Sequence, residues 1–92
     1  MINKCIAIYV FIDDLLKETN HNEPKNRNMS DAEIITTVLV SAIYFSGHHE
    51  KAMSFMSSTG MVTHMLSKSR FNRRLHQIRE LIVDLFFQLS SL

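Results

Sequence analysis

The chain has 92 residues, 46% of them apolar, with only two glycines and one proline. This composition excludes a disordered or low-complexity chain and leaves little room for a large enzyme. The formal net charge of +1 hides a segregation. Lys51, Lys68, Arg70, Arg73, Arg74 and Arg79 fall in a stretch with no acid, while the rest of the chain holds four basic and nine acidic residues. Such asymmetry points to an anionic partner for the basic segment.

A single cysteine, Cys5, excludes an intramolecular disulfide framework and a Cys-rich zinc site, which suits a reducing compartment. The apolar run Cys5 to Ile12 follows Lys4 as the start of a secretory signal would. Asp13-Asp14 follows it directly, where a small-residue cleavage site would be needed. No stretch approaches the roughly 20 apolar residues needed to span a bilayer. The expectation is a soluble, cytoplasmic chain with no membrane partner.

Helical periodicity dominates. Cys5, Ile8, Ile12, Leu15 and Leu16 recur at spacings of three and four and predict a first helix over about 2–18. The β-branched content of Ile6 to Ile12 also permits a strand, but no second alternating run stands nearby to pair with it. A polar loop around Pro24 follows. Ser30-Asp31-Ala32-Glu33 fits a capping box, with Met29 and Ile34 placed as a hydrophobic staple. Asp31 and Glu33 suit the positive end of the helix dipole. A second helix is therefore expected over 31–46, the most buried of the set, stopping at Gly47.

A short third helix over 49–58 turns Ala52, Met53, Phe55 and Met56 inward and ends at Thr59-Gly60. After a connector, Ser67 or Ser69 caps a last helix over 68–89. Along it Phe71, Leu75, Ile78, Ile82, Leu85 and Leu89 form a regular stripe at spacings of four and three. The expected fold is all-α: one small bundle of about four helices with a helix-turn-helix-like C-terminal half.

On the last helix Arg70, Arg73, Arg74 and Gln77 stand at i, i+3, i+4 and i+7, a shared face opposite Phe71, Leu75 and Ile78. Arginine suits phosphates and guanine edges because its planar fork makes paired hydrogen bonds, and Asn72, Ser67, Ser69 and Lys68 add short polar contacts near the helix start. In a helix-turn-helix the first turns of the second helix enter the major groove. Lys68, Arg70, Arg73 and Arg74 are thus candidates for phosphates, and Asn72 and Gln77 for base edges. A solvated outer helix face reads the same way, and the two alternatives stand level on these residues.

Other constellations carry less. Asp13 and Asp14 are adjacent on a helix and diverge by about 100°, unlike the converging acids of a two-metal site. His48-His49-Glu50 lacks the His-x-x-x-His spacing that converges on one zinc ion. Ser67, Ser69 and His76 have no orienting acid, and Gly47 and Gly60 stand too far apart for a phosphate loop. No catalytic residue, metal ligand or cofactor site is expected in this chain.

Three strings carry a family resemblance: Met29 to Thr37, then Tyr44-Phe45-Ser46-Gly47 with the short helix after it, then Met65-Leu66-Ser67-Lys68-Ser69-Arg70-Phe71-Asn72-Arg73-Arg74-Leu75. From about Ile12 onward the chain resembles the N-terminal region of bacterial DDE-type insertion-sequence transposases of the "nine-eight-two" family. The resemblance implies a double-stranded DNA partner, the ends of a mobile element, and a part in transposition. It also implies that the RNase H-like catalytic domain, with its three acids and divalent metal, is missing, so that the chain is a truncated or split transposase and not an enzyme by itself. The alternatives are a helical oligomerisation module that pairs with its own copies or with a separately encoded catalytic chain, and a non-functional remnant. The apolar string Leu85-Phe86-Phe87-Gln88-Leu89 fits the first of these.

Overall fold

Second in chain order, and flanked by most of the others, is a helix that begins with Ser30 as its cap. The computed structural model describes residues 2–18 and 28–90, and the described chain is helical without strands. Its five helices are α1 (Ile2–Glu18), α2 (Asp31–Tyr44), α3 (His49–Ser58), α4 (Lys68–Gln77) and α5 (Arg79–Ser90). The loop expected around Pro24 lies outside the described residues, as do the side chains of Leu85, Phe86, Gln88 and Leu89.

The capping box forms as the residue types demand. The Glu33 amide donates to the Ser30 hydroxyl at 3.1 Å, and the Ser30 amide donates to Glu33 Oε1 at 2.8 Å. Met29 and Ile34, the staple pair, are both fully buried in the core. From there Ile34 to Val40 reads Ile-Ile-Thr-Thr-Val-Leu-Val, a run whose intrinsic preference leans toward strand. Burial on most sides overrides that preference: α1, α3 and α4 all pack against α2. Each buried Ile or Val contributes about 1.5–3 kcal/mol, well above the few tenths lost in helix propensity. The buried hydroxyls of Thr36, Thr37 and Ser41 donate to the carbonyls of Ala32, Glu33 and Val38, so α2 satisfies its own polar groups.

Two left-handed turns set the path onward. Ser46 and Gly47 have φ of 53° and 84°, and the Gly47 amide returns to the Ser41 carbonyl at 2.8 Å. Gly60, at φ 77°, closes α3 in the same manner, with the Val62 amide on the Met56 carbonyl. Residues 59–67 then lead to Ser67, whose hydroxyl accepts from the Arg70 amide at 3.4 Å. The connector between α3 and α4 is longer than the three or four residues of a tight helix-turn-helix. The two helices share α2 as their support and meet through a His49–Phe71 ring contact at 6.1 Å.

The last helix, expected as one piece over 68–89, is two helices. Ile78 leaves helical geometry at φ −102° and ψ 11°, and α5 begins at Arg79. No glycine or proline follows Gly60, so local sequence does not demand the break. Tertiary packing accounts for it: Phe71 and Ile78 are buried in the core, whereas Ile82 is only half-buried. The stripe read from the sequence is therefore divided, with its first part docked on the bundle and its second on a helix that runs on from α4.

Candidate nucleic-acid interface

Helix α4 is the most amphipathic of the five, and its sequence explains why. Phe71, Leu75 and Ile78 pull one side into the core, and the residues about 180° away must face solvent. Ser69, Asn72, Arg73, His76 and Gln77 are all exposed and line one shallow depression on that outer side. Arg70 is exposed at its edge, and Lys68 stands at its N-terminal end.

Arg74 departs from the expected face. Its side chain is only 13% exposed, and Nη2 lies 2.8 Å from Oδ1 of Asp31, itself 3% exposed. On a helix Arg74 is about 60° from Phe71, whereas Arg73 is about 160° from it. Docking Phe71 therefore carries Arg74 inward, against the first turn of α2. The guanidinium there stabilises α2's buried first-turn carboxylate and joins α2 to α4. It is unavailable for phosphate, and the candidate set becomes Lys68, Arg70, Asn72, Arg73 and Gln77.

Lys68 is exposed and forms a 2.8 Å ion pair with Glu50 at the start of α3. The hydrogen bond and charge of Lys68 hold the Glu50 carboxyl below its ordinary range, and Glu50 in turn raises Lys68. Both groups are at the surface, so salt screens the pair and a phosphate can compete for the ammonium. Arg70 and Arg73 have no ion-pair partner among the described residues. Arg70 also borders a polar cleft with Ser57, Thr63, His64 and Ser67 at the N-terminus of α4. Lys51 lines a second cleft beside Lys68 and Asn72.

Sequence reasoning missed His76 and Lys51 as neighbours of this face, while Ser69, expected near the helix start, does line it. Ser69, Arg73 and His76 do recur at i, i+4 and i+7, a signal that becomes readable once the inward side of α4 is known. The acid-free stretch from Lys51 to Arg79 also acquires acids in three dimensions, because Glu50 and Asp31 come from outside it to meet Lys68 and Arg74.

The weaker constellations find structural roles. Asp13 pairs with Lys17 at 2.9 Å along α1, and His49 packs on the Phe71 ring. Among the described residues no group of three or more His, Cys, Asp or Glu side chains could hold a metal ion. Cys5 is fully buried and its thiol is pushed up by that burial, which keeps it protonated and unreactive. No described helix is long and apolar enough to cross a membrane. No protein-family model, curated protein or solved structure matches this chain.

Proposed function

We propose that this chain is a cytoplasmic DNA-binding module of the insertion-sequence transposase type, which recognises element ends through α4. One observation carries the reading. The exposed side of α4 presents Arg70 and Arg73 with Asn72, His76 and Gln77 between and beside them, on a helix whose other side is anchored to α2. Arg70, Arg73 and Lys68 take phosphates, and Asn72 and Gln77 reach base edges. The resemblance of the string from Met65 to Leu75 to the transposase family supports the same partner. Strand cleavage and transfer in that family belong to a separate domain with three acids and divalent metal, so this module acts in transposition by placing the DNA. The exposed Val83 and Phe87 on α5 favour a second reading, a surface that engages a catalytic chain.

The test is equilibrium binding of the 92-residue chain to duplexes carrying insertion-element terminal inverted repeats, against scrambled duplexes, over a range of salt. Replacing Lys68, Arg70 and Arg73 together by alanine should weaken binding at least about tenfold and flatten the salt slope by roughly 0.9 per lost phosphate contact. Asn72→Ala and Gln77→Ala should narrow the preference for the repeat over the scrambled duplex. Absence of binding at low salt, or binding indifferent to the triple substitution, refutes the reading.

A further inference from the structure

Helix α1 contains eight consecutive apolar residues, Cys5 to Ile12, so for more than two turns it is apolar around its whole circumference. A helix of that kind is normally covered on all sides. Here only one side is covered. Cys5, Ile12 and Leu16 are buried against the bundle, while Ile6, Val10 and Phe11 are 48%, 50% and 46% exposed and Ala7 is exposed beside them. The chain between Glu18 and Asn28 offers no large apolar side chain to lie on this face.

The charges that flank the face select its occupant. Lys4 stands at the N-terminal end and Asp14 at the C-terminal end; both are exposed, and neither has an ion-pair partner among the described residues. Asn3, Ala7, Val10 and Asp14 follow spacings of four, three and four, the seam of a close helix pair. Two such seams laid antiparallel and centred between Ala7 and Val10 put Lys4 of each copy beside Asp14 of the other. A parallel pair would set Asp14 against Asp14 and Lys4 against Lys4. Antiparallel alignment also opposes the two helix dipoles favourably. We infer that the outer face of α1 is a self-association surface, on which a second copy of this chain docks its own α1 antiparallel about a two-fold axis. Ala7 at the centre lets the helices approach closely, and Ile6 and Phe11 close the two sides of the seam. DNA binding is not required for this contact.

Sedimentation equilibrium and light scattering of the full chain test it. The mass should rise from one 10.7 kDa chain toward two between about 5 and 500 µM, the range of a small, reversible interface. Val10→Asp should hold the protein monomeric throughout, with helicity and melting midpoint retained because Val10 faces solvent in the monomer. Lys4→Glu and Asp14→Lys should each weaken the dimer by about three- to tenfold, and the two together should restore it. A chain that remains monomeric over the whole range overturns the inference. So does a dimer that survives Val10→Asp, one lost to Phe87→Asp instead, or a double charge reversal that fails to restore association.

Discussion

Arg73 and Arg74 are neighbours of identical chemistry with opposite surroundings, and their difference is the clearest prediction at the scale of single residues. Removing Arg74 takes away the guanidinium that lies 2.8 Å from the Asp31 carboxylate, which is only 3% exposed. Arg74→Ala should therefore cost about 3 kcal/mol in urea unfolding, the low end for breaking a buried pair. Arg73→Ala should stay within about 0.5 kcal/mol, as expected of a solvent-facing side chain. The double substitution Asp31→Ala with Arg74→Ala should cost less than the two single losses added together, since the second removal no longer strands a charge. Equal stability of the Arg73 and Arg74 variants would contradict the placement of α4 against α2. Under the proposed DNA-binding role, DNA affinity should separate them the other way, because Arg73 is the exposed member of the pair.

Among the helices, α2 depends most visibly on its ends. Its interior is rich in β-branched residues, so the capping box and the turn at Gly47 define where the helix starts and stops. Ser30→Ala removes the acceptor for the Glu33 amide and should destabilise the protein by about 1 kcal/mol. Gly47 has a positive φ of 84°, yet a Cβ built there meets nothing within 4 Å. The cost of Gly47→Ala is thus one of backbone conformation alone, about 1–2 kcal/mol. Each kcal/mol lowers the melting midpoint of a domain this small by about 4–8 °C, which calorimetry resolves easily. A Gly47→Ala protein as stable as the parent would mean that the turn after Tyr44 is not left-handed.

Across the whole molecule, stability depends on a core that is nearly free of charge. Its buried or half-buried titrating groups include Cys5 and Tyr9, both raised: Cys5 by burial, and Tyr9 by burial first and then by the Asp13 charge. The sign follows from proton counting. Above the ordinary thiol value of 9.0 the unfolded chain loses the Cys5 proton while the folded chain keeps it, so the folded state binds more protons and stability falls as pH rises. Tyr9 adds to the decline around its ordinary value of 10.0. Urea midpoints should be level to about pH 8 and fall beyond about pH 9, and the fall should be shallower for Cys5→Ala. A midpoint that rises between about pH 8 and 10 would contradict the burial of both groups.

Much of the architecture is legible in the residues alone. The capping box at Ser30, the cap at Ser67, the glycines after α2 and α3 and the three-and-four spacing of apolar residues define the helices, because each acts within a turn or two of chain. Periodicity likewise marks α4 as a helix with a cationic side. What it leaves open is rotation. Spacing groups Arg70, Arg73, Arg74 and Gln77 together, but only the docking of Phe71 on α2 decides that Arg74 points inward to Asp31 and Arg73 outward. The division of the last helix at Ile78 has the same origin, since nothing local interrupts the helical pattern there. The Glu50–Lys68 and Asp31–Arg74 pairs join residues 18 and 43 positions apart, beyond the reach of any local rule. Helix formation is a short-range property of this sequence; which side of each helix is buried, and which charges remain free, are long-range consequences of packing around α2.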